Sequence, residues 1–269
     1  MVYRLFASDF DDTLVPIGRD LSAPNRAAIR RVRDAGIRFA IASGRCSYGL
    51  LANARRHGID IPGLYLIGFN GAEVSQAWDG RLLFSQRIEL AVARRAARFA
   101  AGFPVAVMVP EGSRVFSNRP DNFAVVFETT ANQTTPVLMT DMSKIDFEPG
   151  KLLFGGERAP LEELAAGLRA EFGGLAEVLF SADFLLEFNA RGVTKGGALT
   201  GLCAALGIDV AESVAMGDNH NDIALVETAG LGIAVGNAVP ELQAVADRVT
   251  VPCTEDAVAH VLNELFPPD

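Results

Sequence analysis

The 269-residue chain is 49% hydrophobic and carries 24 Lys+Arg against 33 Asp+Glu, a formal charge of -9. That balance argues against nonspecific binding to nucleic acid or to an anionic membrane surface. The length allows one large α/β domain or two smaller ones, and the cysteines, Cys46, Cys203 and Cys253, match neither a zinc spacing nor a disulfide framework.

Met1-Val2-Tyr3-Arg4 runs directly into a first strand, so no leader segment is expected ahead of it. No apolar run reaches the ~18 residues of a membrane span. Together with the cysteine usage, this places the chain in a reducing cytoplasm. Leu5 to Ser8 reads as a buried strand that delivers Asp9 at its carboxyl end, followed by Asp11, Asp12 and Thr13. In extended backbone Asp9 and Asp11 point the same way. Like charges held that close need a cation or a shared proton. Taken alone, the same residues also fit a polar turn that caps the next element.

Ser22 then caps a helix with Pro24 in its first turn and an apolar stripe of Ala28, Ile29, Val32 and Ala35, closed by Gly36. Ile37 to Ala42 is a strand ending in Ser43-Gly44-Arg45. This is a hydroxyl, an unhindered amide and a guanidinium beside a helix start, the parts of an oxyanion or phosphate cradle. A helix with Leu50, Leu51 and Ala54 leads to a strand over 64–67 that ends in Asn70-Gly71-Ala72. Alternating strands and helices with short links predict a parallel, doubly wound sheet.

The rhythm changes near Glu73. A hairpin turn at 78–81, a helix over 90–101 and strands over 105–109 and 114–116 are expected next. Phe123 to Phe127 reads as a strand and Thr129 to Thr135 as a polar loop. A helix over 161–172 and a hairpin of 178–180 with 184–188 close the segment. This pattern predicts an inserted α+β domain over 82–189, with 1–81 and 190–269 forming the α/β core. The core then resumes: a helix begins at Lys195, a strand over 213–216 ends in Gly217-Asp218-Asn219-His220-Asn221-Asp222, and a strand over 232–235 ends in Gly236-Asn237-Ala238. A last helix is assigned Thr254 as its cap.

Each polar motif follows a strand of the predicted parallel sheet. Ligands of open α/β sheets bind outside the carboxyl ends of the strands. Asp9, Asp11, Ser43, Asn70 and Asp218 are therefore expected to converge. Asp218 and Asp222 add carboxylates, and hard oxygen ligands of this kind suit Mg2+. The 217–222 loop lacks the glycine and spacing of an EF-hand, and 193–197 lacks the P-loop spacing. Lys195 at a helix start points to a nearby anion. His220 reads as a solvated loop residue, His57 and His260 as helix-surface residues, and Cys46 as lining the crevice. Arg114, Glu111 and Lys151 are the polar candidates within the insertion.

Asp9-Phe-Asp11-Asp12-Thr13, Ser43, Lys195 and Gly217-Asp218-x-x-Asn221-Asp222 resemble the four ordered motifs of the haloacid dehalogenase-like (HAD) phosphohydrolases. The inserted segment and the runs 70–72, 193–196 and 236–238 resemble the Cof-type, subclass IIB members. The resemblance covers essentially the whole chain. It departs at Asp12, where glycine is commoner, and in the 251–256 tail. It implies a Rossmann-like core with an inserted cap, and a phosphatase acting on small phosphorylated metabolites, with sugar phosphates foremost. By the same resemblance Asp9 is the nucleophile that forms an aspartyl-phosphate, and Asp11 the general acid and base. Mg2+ is held by Asp9, Asp11 through its carbonyl, Asp218 and Asp222. Ser43, Lys195 and Asn221 bind the phosphoryl oxygens, and Thr13, Gly44, Arg45 and Asn70 support or contact the substrate. A phosphosugar mutase of the same subclass and a non-catalytic sensor of phosphorylated ligands are the alternative readings. A glycosyltransferase reading of Asp9-Phe-Asp11 leaves Lys195 and the Asp218 loop without a role. No nucleic-acid or membrane partner is expected, and oligomeric state is not legible.

Overall fold

The computed structural model describes residues 3–268. Met1 and Val2, expected to lead into the first strand, lie outside the described residues, as does Asp269. The chain forms two compact units, residues 1–85 with 194–269, and residues 86–193.

The first unit begins β1 (Leu5–Asp9), α1 (Ala23–Asp34), β2 (Arg38–Ala42), α2 (Ser47–Arg56), β3 (Leu64–Gly68), β4 (Glu73–Gln76) and β5 (Leu82–Ser85). Ser22 caps α1 by accepting from the Asn25 amide, as the sequence predicts. β5 pairs antiparallel with β4, so the first unit extends to Ser85 rather than ending at 81. The rungs between β3, β4 and β5 are antiparallel, and β1 pairs parallel with β2, and β2 with β3.

Residues 86–193 contain α3 (Leu90–Ala100), β6 (Ala106–Glu111), β7 (Arg114–Ser117), α4 (Phe123–Asn132), β8 (Thr135–Leu138), β9 (Lys151–Gly155), α5 (Arg158–Phe172), β10 (Ala176–Ala182) and β11 (Leu185–Ala190). Their six strands form a separate sheet in the order β10-β11-β9-β6-β7-β8, antiparallel except for β7 with β8. The strand expected over 123–127 is α4 instead, and the helix also takes in most of the expected loop. Phe-Ala-Val-Val-Phe favours strand by composition, but Asn122 caps the amide of Ala124 and starts a helix. Its buried positions, Ala124, Val125, Glu128, Thr129 and Asn132, follow helical spacing. Lys151, read from sequence as a polar candidate of the insertion, is buried and donates to Glu187 Oε1 at 2.9 Å. Arg114 lies over the Phe116 ring, and Glu111 accepts from Arg87.

The first unit resumes with α6 (Lys195–Leu206), β12 (Ser213–Gly217), α7 (Ile223–Thr228), β13 (Leu231–Ala234), α8 (Pro240–Val245), β14 (Arg248–Val249) and α9 (Ala257–Leu265). Its eight strands run β14-β13-β12-β1-β2-β3-β4-β5, with β1 central. Strand side chains alternate between faces. Phe6, Phe39, Met216 and Ile233 pack with Ile29, Leu50, Leu242 and Val258 on one face. Leu5, Ala7, Ala40 and Ala215 pack with Leu199, Leu202 and Leu225 on the other. This is a doubly wound sheet with helices on both faces, which brings the carboxyl ends of β1, β2, β3 and β12 to one edge. Thr254 does not cap α9. It lies in a 3-10 turn, and Asp256 precedes the helix with a left-handed φ of 59° and no side-chain cap.

Candidate active site

The deepest element of the site is Lys195, fully buried at the start of α6. Its Nζ donates to Asp9 Oδ1 and to Asp222 Oδ1, each at 2.6 Å. Thr194 caps α6 by accepting from the Gly197 amide, which fixes the first turn that carries the lysine. Asp222 is equally buried. Its second oxygen accepts from the amides of Asp218 and Asn219, each at 3.1 Å. Gly217 is required here, because a Cβ would sit 2.4 Å from that of Asp222. Asp222 thus holds both Lys195 and the 218–219 backbone.

Asp9, Asp218 and Asp222 each offer a carboxylate oxygen within 4.8 Å of the others. Burial and the charge of Asp222 raise the Asp9 carboxyl well above its usual range, against the opposing pull of Lys195. Burial and Asp222 likewise push Asp218 up to about 6. Burial alone would lower Lys195, but Asp222 and Asp9 together raise it, so it stays charged. Three carboxylates thus face one ammonium, an excess of negative charge in a desolvated place. The second oxygens of Asp9 and Asp218 accept no hydrogen bond among the described residues. Two free carboxylate oxygens beside an uncompensated charge fit a hard divalent cation, which takes one or two carboxylates and keeps several waters.

Thr13, expected at the phosphate, is fully buried and donates its hydroxyl to Asp218 Oδ1 at 2.9 Å. It orients a carboxylate instead of facing a ligand. The Asp11 side chain does not point with that of Asp9, as extended backbone would have it, and lies outside the carboxylate cluster. Both its oxygens accept from Arg45, Nε and Nη2, at 2.8 Å. Asp12 adopts a left-handed φ of 57°, which explains why glycine suits this position.

The second group of residues surrounds Ser43. Its hydroxyl accepts from the Arg45 amide at 3.2 Å, and its carbonyl accepts from the Asn70 amide. Gly44 lies against the Asn70 side chain. Asn70, with a left-handed φ of 56°, accepts at Oδ1 from Asn221 Nδ2 at 3.0 Å. Gly71 follows at φ 110°, where a Cβ would lie 2.3 Å from the Thr194 carbonyl. Strand ends β2, β3 and β12 therefore present Ser43, Asn70 and Asn221 as one polar group. Cys46 does not line a crevice. It is buried and caps α2 through Sγ, accepting from the Gly49 amide.

Two acidic strand ends, a buried lysine between them and a polar cradle are the parts expected from the sequence motifs. A family model described as haloacid dehalogenase-like hydrolase matches residues 6–262. The chain belongs to the haloacid dehalogenase-like hydrolases. The HMP-PP phosphatase of Yersinia pestis (strain Pestoides F) is 28% identical to this hydrolase over 97% of the chain and 95% of its own length. A haloacid dehalogenase-like hydrolase from Bacteroides thetaiotaomicron has a TM-score of 0.92 and 25% identity, covering 98% of this chain and 100% of its own. The HAD subclass IIB sugar phosphatase BT4131 shares the fold, with a TM-score of 0.79 and 20% identity over 98% and 100% of the two chains. With family and relatives of this kind, the hydrolase is a phosphoric monoester hydrolase. No helix among its described residues is long and apolar enough to cross a membrane.

Sequence reading missed two features of this hydrolase. His57 is not on a helix surface; it is buried, and its Nδ1 accepts from the Leu21 amide at 3.3 Å. Glu73, unassigned from sequence, is buried and accepts from the Ser47 hydroxyl at 2.7 Å. Neither has a local signal, since each depends on contacts between distant segments.

Proposed function

We propose that this chain is a Mg2+-dependent phosphatase of small phosphorylated metabolites, with sugar phosphates as the leading class, acting through a phosphorylated Asp9. The observation that carries the reading is Lys195 held between Asp9 and Asp222, with the second oxygen of Asp9 left without a hydrogen bond. Asp9 has one oxygen fixed by an ammonium, which orients the carboxylate for in-line attack on phosphorus. Asp9 and Asp218 would hold the magnesium, with the carbonyl of Asp11 and with Asp222 in support. When bound, the ion supplies positive charge that keeps Asp9 ionised and offsets the charge of the transferring group.

Attack by Asp9 forms the Asp9–phosphorus bond and breaks the bond to the leaving oxygen, which takes a proton from Asp11. Water then attacks the same phosphorus, giving its proton to Asp11 and releasing phosphate and the Asp9 carboxylate. Arg45 pairs with Asp11 in this structure, and an arriving phosphate dianion is an alternative partner that frees the carboxyl for proton transfer. Lys195, Ser43 and Asn221 bind phosphoryl oxygens, with Gly44 and Asn70 shaping the cradle. Positioning and charge account for most of the acceleration in such transfers. We assign residues 86–193 as the inserted cap domain. Cys46, Cys203 and Cys253 are buried thiols, which fits a reducing compartment, and the cytoplasm is the location we assign.

The test is magnesium-dependent release of phosphate from an aryl phosphate and from a panel of phosphorylated metabolites. Asp9→Asn is expected to lower turnover by ~10^3-fold or more, as loss of a nucleophile does elsewhere. Wild-type turnover in Asp9→Asn sinks the nucleophile assignment, and isomerised sugar phosphate in place of free phosphate redirects the reading to a mutase.

A further inference from the structure

A third loop, which carries no carboxylate, ties the two loops that do. In the turn after β13, Asn237 Nδ2 donates to the carbonyl of Asp12 at 2.9 Å. Its Oδ1 accepts from the amide of Cys253 at 2.8 Å. Two residues on, the amide of Val239 donates to the carbonyl of Asp218 at 2.8 Å. Thr13, next to Asp12, donates to the Asp218 carboxylate. These contacts close a ring that runs from Asp12 and Thr13 to Asp218, on to Val239 and Asn237, and back to Asp12.

The Asp12 loop needs such a tie. Its backbone at Asp12 is left-handed, with φ 57°, a region that residues other than glycine seldom adopt. Inside the loop, the Asp12 amide donates to Val15 and its carboxylate accepts from the Ile17 amide. Asn237 adds an anchor from outside the loop. It is exposed, so it buries little apolar surface. Its two bonds go to backbone of separate strand-end segments, and it hydrogen-bonds to none of the three carboxylates of the cluster.

We propose that Asn237 is a positioning residue for the divalent-cation site, setting the separation of the Asp9 and Asp218 loops. The proposal rests on the magnesium reading above. Magnesium demands near-ideal octahedral geometry, so a small drift between the loops weakens binding without unfolding the chain.

The test is calorimetric titration of magnesium chloride alone into the metal-free full chain, for wild type, Asn237→Ala and Asn237→Leu. Thermal midpoints are recorded without metal. Leucine keeps the bulk and loses both hydrogen bonds, so an effect common to both variants is not one of lost volume. Both are expected to bind magnesium about 10-fold more weakly, the lower end of what outer ligand supports contribute. Their metal-free midpoints should stay within about 2 °C of wild type, and turnover should recover at saturating magnesium. Wild-type affinity in both variants overturns the proposal. Weaker binding accompanied by a collapsed midpoint in both variants overturns it as well, because the role is then general folding. A wild-type chain that binds no magnesium overturns the magnesium reading itself, whereas binding that the variants leave intact removes only the role of Asn237.

Discussion

Each unit of this hydrolase buries a lysine, and the two lysines are buried differently. Lys195 in the core bridges Asp9 and Asp222 at 2.6 Å, with Asp218 close by. Lys151 in the insertion meets Glu187 at 2.9 Å, and Asn189 donates to the other Glu187 oxygen at 3.3 Å. Buried ion pairs add little net stability, because desolvation offsets most of the attraction. A cluster with carboxylates in excess goes further and is poised for a charge that arrives from outside. The first arrangement is therefore the chemical one, and the second links β9 to β11 through a diagonal buried ion pair.

Removing each lysine should separate these roles. Lys195→Met leaves buried carboxylates uncompensated, and we expect about 3–5 kcal/mol of lost stability by chemical denaturation together with loss of turnover. A stable, active variant would break the comparison. Lys151→Met should also destabilise by roughly 3–5 kcal/mol, but adding Glu187→Leu should restore most of it, because a well-packed apolar pair can replace a buried ion pair. A double variant no better than the single one would mean that the pair does more than match charge.

Magnesium provides a milder contrast. At about 100 times its dissociation constant a ligand specific to the folded state adds about 2.7 kcal/mol, so the wild-type melting temperature should rise with the metal. Asp218→Asn should abolish most of that rise, and Glu187→Gln should leave it in place.

The smallest effect concerns His57, a titratable group buried without charge. Burial and the neighbouring Arg56 lower its pKa below the ordinary 6.5. A proton on Nδ1 would also displace the Leu21 amide. The folded-state value lies below the unfolded one, so the contribution to stability is present above pH 6.5 and is lost as pH falls through the folded value. His57→Gln should flatten the pH dependence of the urea midpoint over that acidic range, and an unchanged slope would assign it to other groups.

Much of the core was legible in the sequence because each motif directly follows an apolar run, and strand ends of an open parallel sheet share one edge. Asp9, Ser43, Asn70 and Asp218 were located that way, and Lys195 from its place at a helix start. The alternation of strand and helix did not reveal which side chains serve the others. Thr13 and Asp218 are 205 positions apart, and Asn237 and Asp12 are 225 apart, so no spacing rule links them. Local composition misled at α4, where aromatic and β-branched residues suggested strand while the Asn122 cap and the buried face favoured helix. The pairing of Asp11 with Arg45 had no sequence signal either, since Asp11 read as a general acid and Arg45 as a contact to the substrate.

The parallel pairing of β1 with β12 has a consequence for how the chain acquires its activity. Leu5 aligns with Ser213, and the bond from Lys195 to Asp9 spans 186 positions. Loop closure over such distances is slow compared with local contacts, and a chain made from its amino end holds an incomplete central sheet until β12 emerges. Until then one edge of β1 has no partner. A growing chain is in this respect exposed to mispairing at that edge, and chaperone demand should persist until β12 is complete at Gly217.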